Sequence, residues 1–206
     1  MKVLLVNGSP HEKGCTYTAL TLAEKSLVQA GVETEIFWVG AQPVGGCSGC
    51  GGCRGTGRCI YDDAVNRLLE KAEAADGFVF GSPVHYAGIS GSMKGLLDRA
   101  FFAGKSAFAY KPAALAVSAR RAGTTAALDE LMKYPAINQM PVVSAGYWPM
   151  VHGQTPADVL QDEEGCGIMA QLGRNLAWVL QCLALGKANG LPHPEPAALP
   201  RTNFIR

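Results

Sequence analysis

The sequence predicts an α/β fold in which a doubly wound, five-stranded parallel sheet carries helices on both faces. Short apolar runs without alternation are typical of parallel strands that are covered on both faces. Segments with helical spacing separate these runs, so consecutive strands are joined by right-handed crossovers. The chain has 206 residues, of which 48% are hydrophobic and 17% charged, and this is enough material for one compact domain.

The elements alternate along the chain. The predicted strands are residues 2–7, 33–39, 77–81, 113–118 and 140–144. The predicted helices cover residues 20–30, 65–72, 93–101, a segment from about 124 to before Pro135, and 168–183. Gly31 is a stop signal for the first helix, and Ser90 is a predicted cap of the third. Five such strands favour the flavodoxin-like order 2-1-3-4-5 over a six-stranded dinucleotide fold.

The division of the chain is simple. Residues 1–188 are predicted to form a single domain with a cysteine-rich loop at 45–60. Residues 189–206 contain four prolines and are predicted to be a tail that wraps a surface or a partner subunit. Residues 146–167 are predicted to be a long loop, because they hold two prolines and an acidic run.

Composition excludes several classes of function. A net charge of +1, from 18 basic and 17 acidic residues, argues against a nucleic-acid or membrane partner. No apolar run reaches the about 18 to 20 residues that span a bilayer. The first residues read as a strand rather than a signal peptide, so we expect a cytoplasmic protein in a reducing compartment. Clustered cysteines there are more often metal ligands or redox groups than disulfides.

The loop after the first strand offers a possible phosphate site. It reads GSPHEKGCT and brings the Ser9 and Thr16 hydroxyls, Lys13 and backbone amides to the start of a helix. It matches neither Gly-x-Gly-x-x-Gly nor the Walker pattern, which disfavours a classical NAD site or an ATPase. An ordinary polar loop is the alternative interpretation.

Two further loops lie at the same edge of the predicted sheet. Residues 82–90 offer His85, Tyr86 and exposed amides, which suit the edge of a flat heterocycle. His85 is a candidate proton donor, with a solvent-facing bystander as the alternative. Residues 118–124 place Arg120 and Arg121 beside a helix start, where they can stabilise negative charge on a ligand or form a solvated basic turn.

Together the motifs GSPHEKGCT, GSPVHYAGISGSMKGLLDR and SARRAGTT resemble the NADPH-dependent FMN reductase family of flavodoxin-like proteins, over residues 1–145. The resemblance implies an FMN-dependent oxidoreductase, with His85 and Tyr86 as the candidates for a catalytic role. Cys15 departs from the family, whose members commonly have asparagine there, so its amide would bind more than its side chain. The implied FMN-binding residues are Ser9, Pro10, Lys13, Gly14, Cys15 and Thr16 in the phosphate loop, Ser82, Pro83, Val84, His85 and Tyr86 along the ring, and Ser118, Arg120, Arg121 and Gly123 on its pyrimidine side.

Four cysteines form the sharpest motif, Cys47-x2-Cys50-x2-Cys53-x5-Cys59, and seven glycines lie between residues 45 and 57. The consecutive x2 spacing is that of a ferredoxin-type [4Fe–4S] loop, although the fourth cysteine is local and Ile60 follows it. The spacing resembles the iron–sulfur flavoproteins, a branch of the same family, in which such a loop holds a [4Fe–4S] cluster close to FMN. Zinc, a disulfide or free thiols, and cysteines without a cluster remain as alternatives. Cys166 and Cys182 are interpreted as small packing residues, with Cys182 on or near the buried stripe of the last helix.

The leading hypothesis is electron transfer through a [4Fe–4S] cluster and FMN. The alternatives are a cluster-free NAD(P)H-dependent FMN or quinone reductase, and a non-catalytic flavin carrier or redox sensor. The resemblance implies ferredoxin, quinone or free flavin as electron partner and a homodimer or homotetramer as the assembly. Tyr147, Trp148 and His152 are candidate contacts to the flavin from the 146–167 loop.

Overall fold

The structure, a computed structural model, describes residues 1–195 and 197–198. It contains six strands: β1 (Lys2–Asn7), β2 (Glu33–Trp38), β3 (Gly77–His85), β4 (Gly88–Ile89), β5 (Ala113–Ala119) and β6 (Met150–His152). The α-helices are α1 (Cys15–Gln29), α2 (Ala64–Ala74), α3 (Gly91–Gly104), α4 (Thr124–Ile137), α5 (Pro156–Val159) and α6 (Glu163–Ala188). Among the helices that the structure describes, none combines the length and the apolar character that a membrane crossing requires.

The sheet confirms the predicted flavodoxin-like fold class. Its order is β2-β1-β3-β5-β6, and all neighbouring pairs on this path are parallel. The five parallel strands therefore follow the predicted order 2-1-3-4-5. The sixth strand, β4, is a short antiparallel addition that pairs with the end of β3, at Val84 and His85.

The predicted position of the fifth parallel strand is wrong. Residues 140–144 contribute only an isolated bridge between Val142 and Ala113, and β6 takes the edge position instead. Pro141 has no amide hydrogen to donate to a ladder, which limits this segment to the bridge. The edge strand then forms after Pro149, whose carbonyl accepts a hydrogen bond from the Val117 amide at 3.1 Å.

Three other predictions, all in the second half of the chain, need correction. The 146–167 segment is not a continuous loop, because it contains β6, α5 and the first turn of α6. Asp162 starts α6 early by accepting a hydrogen bond from the Gly165 amide at 2.9 Å. Helix α4 continues through Pro135 to Ile137 instead of ending before the proline. Cys182 is exposed rather than packed.

Helices cover both faces of the sheet. Alternate strand residues such as Val3 and Leu5 pack with α1, α5 and α6, whereas Leu4 and Val6 pack with α2, α3 and α4. On the first face, α6 crosses α1 closely at Gly173, where a Cβ atom would lie 2.3 Å from the Ala23 carbonyl oxygen. The result is a three-layer arrangement whose carboxyl-terminal strand edge is left to loops.

The first residues of the predicted tail lie near the 3₁₀ turn that follows α3. The His193 ring stacks on Tyr110 with 4.4 Å between ring centroids. The remainder of the predicted tail, at positions 196 and 199–206, lies outside the described residues. Its wrapping of a surface or partner subunit stays a prediction.

Candidate functional site

Three loops leave the same edge of the sheet and contact one another. They are residues 8–16 after β1, 82–90 at the end of β3, and 118–124 after β5, and we call them the flavin loops after the ligand that the sequence resemblance implies. The Gly8 amide donates to the Gly81 carbonyl at 2.8 Å, and the Ser90 hydroxyl donates to the Gly8 carbonyl at 2.6 Å. The carboxyl ends of adjacent parallel strands meet at one edge, and this edge is where open α/β sheets bind ligands.

Side chains of the first loop and its neighbours fix its shape. Buried Asn7 accepts a hydrogen bond from the Ser9 amide at 3.1 Å and donates to the Glu12 carbonyl at 2.9 Å. The Ser9 hydroxyl accepts from the His11 amide at 3.1 Å, and the Trp38 indole donates to the Ser9 carbonyl at 2.8 Å. Hydrogen bonds within the loop, and others from Asn7 and Trp38, therefore hold the loop in one conformation.

The start of α1 has the features of an anion site. Gly14 precedes the helix, and in the described part of the chain no side chain caps it, so the first-turn amides remain available. Lys13 is exposed beside them and Pro10 is half-buried. The Cys15 thiol turns away toward the Gly153 carbonyl at 3.6 Å. Burial raises the pKa of this thiol, so it stays neutral.

Thr16 and Ser118 join the first flavin loop to the third. Their hydroxyl oxygens are 2.8 Å apart, and the two residues are 1% and 4% exposed. Both are candidate FMN ligands by sequence. In the structure their hydrogen bond joins α1 to the end of β5, and neither side chain faces solvent.

The second flavin loop contains a hairpin that projects from the sheet. Tyr86 and Ala87 have φ values of 49° and 62°, and His85 pairs with Gly88 around them. Two successive positive φ values are typical of a type I′ hairpin turn, which favours Asn and Gly. Tyr86 is fully exposed at the tip and His85 is exposed beside it.

A carboxylate from α4 supports this hairpin. Glu130 accepts a hydrogen bond from the Ile89 amide at 2.9 Å and pairs with Lys94 at 3.0 Å. Burial alone would raise the pKa of Glu130, but the Ile89 amide and the Lys94 ammonium outweigh it and lower the pKa. The carboxylate therefore stays ionised under the turn.

The third flavin loop packs against the hairpin. Gly123 has a φ of 92°, and a Cβ atom there would lie 2.8 Å from the Ala87 Cα and 3.1 Å from the Val84 Cγ1. Only glycine combines this backbone with this approach. Arg120 and Arg121 are exposed on the same loop, at the start of α4.

Ser82 is a buried polar residue at the root of the second flavin loop. Its hydroxyl accepts from the Ser90 amide at 3.0 Å and donates to the Pro83 carbonyl at 2.9 Å. Pro83 and Val84 are half-buried and lead into the hairpin. Ser82 thus shapes the loop, while the residues beyond it form its accessible surface.

The candidate contacts from the 146–167 segment lie around β6. His152 ends that strand beside Ala119 of β5, and its amide donates to Asp162 at 2.7 Å. The His152 ring nitrogen lies 3.6 Å from the same carboxylate. Tyr147 and Trp148 are exposed and pack edge to face, with 4.6 Å between ring centroids.

The four motif cysteines line one pocket. We call residues 45–60 the cysteine loop. The pocket is a shallow depression that is open to solvent, with a cavity volume of about 20 Å³. Its wall is completed by Ser48, Gly51, Ile60 and Tyr61 and, from α3, by Arg99, Phe102 and Ala103. All seven cysteines of the chain are free thiols, so the structure contains no disulfide in this loop.

Cys59 is held more firmly than the other three cysteines. Its amide donates to the Asn66 side chain at 2.9 Å, and Asn66 donates back to the Cys59 carbonyl at 2.9 Å. Arg99 donates to the Cys59 sulfur from Nε at 3.3 Å and from Nη2 at 3.2 Å. In contrast, Cys47 and Cys50 are exposed on the loop.

Close backbone contacts fix the ends of the cysteine loop on α3. A Cβ atom at Gly95 would lie 2.4 Å from the Val44 carbonyl, and one at Gly104 would lie 3.1 Å from the Gly57 carbonyl. Arg99 lies between these two contacts. It is eight residues from the start of α3, about 12 Å along the helix axis. The cysteine pocket therefore lies beside the later turns of α3, whereas the flavin loops lie at the N-terminal end of the same helix.

The four cysteines offer the thiolate donor set that a [4Fe–4S] cluster requires. Within residues 1–195 and 197–198, no three His, Cys, Asp or Glu side chains gather around one metal position. A cubane does not require this, because each thiolate binds a different iron. Four cysteines around one pocket and a guanidinium at one sulfur are the matching features.

Sequence reasoning missed the side chains that support both sites. Asn7 and Glu130 shape the flavin loops, and Arg99, Asp63 and Asn66 hold the end of the cysteine loop. Arg99 could have been noticed, because it is a charged residue within the apolar stripe of α3. The partners of the others come from distant parts of the chain, so no local pattern identifies them.

A flavodoxin-like sheet with loops at its carboxyl edge is the architecture of doubly wound α/β proteins that bind ligands at that edge. The chain belongs to the NADPH-dependent FMN reductase family, whose model matches residues 1–155. It is thus a flavin-dependent oxidoreductase of a family that binds FMN. The match ends just before α5 and confirms the resemblance that the loop motifs predict.

Two similar proteins carry a more specific name. An iron–sulfur flavoprotein of Methanocaldococcus jannaschii is 30% identical over 191 residues, which cover 89% of this chain and 99% of the relative. An iron–sulfur flavoprotein of Archaeoglobus fulgidus is 29% identical over 169 residues, covering 80% and 83% respectively. The first of these similarities extends over nearly the whole relative, so it includes the region of the cysteine loop.

Solved structures support the fold. A flavone reductase superposes with a TM-score of 0.69 at 18% identity, covering 89% of this chain and 64% of that one. An NAD(P)H:quinone oxidoreductase from Methanothermobacter marburgensis gives a TM-score of 0.63 at 19% identity, covering 85% and 96%. An archaeal flavodoxin gives 0.59 at 16% identity, covering 88% and 99%.

Proposed function

We propose that this protein transfers electrons between FMN, bound by the flavin loops, and a [4Fe–4S] cluster bound by Cys47, Cys50, Cys53 and Cys59. The observation that carries the proposal is the single pocket lined by all four cysteines, in which Arg99 donates two hydrogen bonds to Cys59. The names of the relatives support it independently.

The flavin loops supply a distinct group for each part of FMN. The phosphate would be held by Ser9, Pro10, Lys13 and Gly14 and by the backbone amides of Cys15 and Thr16, whose side chains contact Gly153 and Ser118 instead. The hairpin residues and the 118–124 loop would flank the ring, because Gly123 brings these two loops into contact. Arg120 and Arg121 would place positive charge near its N1/O2 edge, where the reduced flavin carries negative charge.

The pairing of cofactors explains the use of two sites on one chain. FMN accepts one or two electrons, whereas a [4Fe–4S] centre accepts one, so the pair can connect one-electron carriers with two-electron acceptors. The chain's own part is to hold the two centres in fixed positions along α3. His85 and Tyr86, exposed at the hairpin tip, are the candidates for protonation or substrate contact.

A second candidate is a cluster-free NAD(P)H-dependent FMN or quinone reductase. It is favoured by the independence of the flavin loops, because the hydrogen bonds that fix them involve no residue of the cysteine loop. In this function NAD(P)H is the hydride donor and the cysteine loop carries no metal.

Anaerobic purification separates the two candidates. We expect close to four iron and four acid-labile sulfide per FMN, and one-electron reduction by ferredoxin. Cys182→Ser is the matched control, because Cys182 is exposed on α6 and outside the cysteine loop. FMN at full occupancy without iron or sulfide, together with NAD(P)H-driven quinone or flavin reduction, would favour the second candidate.

We also propose that the protein assembles as a homodimer or homotetramer around the flavin loops. Tyr86 in the second flavin loop, and Tyr147 and Trp148 in the segment before β6, are large aromatic side chains that lie exposed. Light scattering on the FMN-loaded protein tests this assembly. A monomer at micromolar concentration would contradict it.

A further inference from the structure

Arg99 is the buried charge of the cysteine pocket. It is 4% exposed on α3, and its guanidinium has different partners on its two sides. Nη1 and Nη2 donate to the Asp63 carboxylate at 2.6 and 3.0 Å. Nε and Nη2 donate to the Cys59 sulfur at 3.3 and 3.2 Å.

The two partners differ in how they neutralise this charge. Asp63 has 38% of its side chain exposed and also caps α2, by accepting from the Val65 amide at 3.0 Å. Solvent therefore screens part of its charge. The Cys59 sulfur faces the pocket, so the uncompensated part of the guanidinium charge acts there. Among the residues that the structure describes, Cys59 is the only motif cysteine whose sulfur accepts from a charged side chain.

The ring of Tyr61 closes the same side of the pocket. It lies 5.1 Å from the Arg99 guanidinium carbon. The guanidinium itself is almost fully buried, so water has little access to it. Hydrogen bonds and charge from a group that is shielded from water in this way act more strongly on their acceptor.

We propose that Arg99 is a positioning residue that raises the reduction potential of the cluster through Cys59, and that Asp63 limits this effect. The inference rests on the proposed function. A cluster becomes more negative on reduction, so N–H donors and positive charge at a ligand sulfur favour the reduced state. Asp63 neutralises part of the guanidinium charge that acts on the sulfur. Arg99 therefore raises the reduction potential, and Asp63 lowers it.

Redox titration followed by electron paramagnetic resonance tests the proposal on the FMN-loaded holoprotein. Arg99→Gln should lower the reduction potential of the cluster by at least about 59 mV. For one electron this is a tenfold change in the ratio of reduced to oxidised cluster. Arg99→Lys should shift it less, because lysine keeps the charge but loses the planar fork. Asp63→Asn should raise the potential, and asparagine can still cap α2.

Arg58→Gln is the matched control. Arg58 lies on the cysteine loop but pairs with Glu70 at the surface, with half of its side chain exposed. This variant should leave the potential unchanged. FMN content should remain the same in all four variants, since none of these residues belongs to the flavin loops.

The outcomes keep the two proposals apart. A wild-type protein without iron and sulfide removes the proposed function itself. A wild-type cluster whose potential does not move in Arg99→Gln leaves that function intact and overturns the role of Arg99. If both Arg99 variants lose the cluster, the direction of the potential shift in Asp63→Asn decides the question. An unchanged or lowered potential in that variant contradicts the proposal.

Discussion

The flavin loops and the cysteine loop are built in opposite ways. The flavin loops are tied to each other and to the sheet by buried polar groups such as Asn7, Ser82 and Ser90. The cysteine loop is exposed over most of its length and has few backbone hydrogen bonds of its own, such as Arg54 to Gly51 at 3.1 Å. Its firm contacts are at its two ends, on α3 and α2.

This difference indicates how each site acquires its ligand. A loop that is ordered by the protein presents its amides before the ligand arrives, which reduces the entropy lost on binding. Under the proposed function, a loop with left-handed glycines and few internal bonds would be ordered by the metal that its thiolates bind, so that binding free energy becomes local folding free energy. Cys59 is the exception within the cysteine loop, because Asn66 and Arg99 hold it beforehand.

The largest effect should come from removing Cys59. Cys59→Ser should lose nearly all iron and sulfide and keep full FMN, because the firmly held ligand disappears while the flavin loops stay intact. Iron, sulfide and FMN analyses after anaerobic purification measure this, with Cys182→Ser as control. Loss of FMN in parallel with iron would show that the two regions fold as one unit.

The converse change is Gly123→Ala. Its Cβ would lie 2.8 Å from the Ala87 Cα, so the third flavin loop must move away from the hairpin. We expect FMN affinity to fall about tenfold, the equivalent of about 1.4 kcal/mol, with iron content unchanged. Fluorescence titration of the FMN-free protein measures the affinity.

Gly55→Ala is the matched control for this change. Gly55 has a similar φ of 76°, but a Cβ there would meet nothing within 4 Å. Both variants carry the left-handed backbone cost of about 1–2 kcal/mol, and only Gly123→Ala carries the contact. Equal FMN affinities in the two variants would mean that the packing of loop on hairpin is not needed for binding.

Features of both regions that depend on local sequence patterns could be predicted from the sequence. Strands β1, β2, β3 and β5, the Ser90 cap of α3 and the three flavin loops follow from periodicity and capping. The cysteine spacing singled out the four residues that line one pocket.

What could not be predicted depends on contacts between distant residues. Residues 140–144 have the composition of a strand, but Met150–His152 occupy the edge of the sheet because they pair with β5. Glu130 reaches Ile89 across 41 residues, and Arg99 reaches Cys59 across 40. Such pairs form only after the layers have packed, so propensity alone does not identify them.

A smaller effect should follow from neutralising the support of the hairpin. The pKa of Glu130 is lowered in the folded protein, so its stabilisation is present above the unfolded pKa and is lost as pH falls through the folded value. Glu130→Gln should therefore reduce the free energy of unfolding by about 1 kcal/mol at pH 7. Below the folded pKa, wild type and variant should converge.

Urea unfolding of the FMN-loaded protein at neutral pH and near pH 3 measures this effect. Asp129→Asn, which changes an exposed carboxylate on the same helix, is the control and should be nearly silent. A difference between wild type and Glu130→Gln that does not depend on pH would rule out the charge of Glu130 as the source of the support.

The smallest effect should come from the surface ion pair of the cysteine loop. Arg58 and Glu70 are 2.7 Å apart, but their side chains are 50% and 58% exposed. Arg58→Gln should cost well under about 1 kcal/mol of unfolding free energy, and that cost should vanish at high salt. Urea unfolding at low and high ionic strength, with iron analysis of the same samples, measures it. If Arg58→Gln removed as much iron as Cys59→Ser does, the order of this loop would depend on its exposed surface rather than on its buried end.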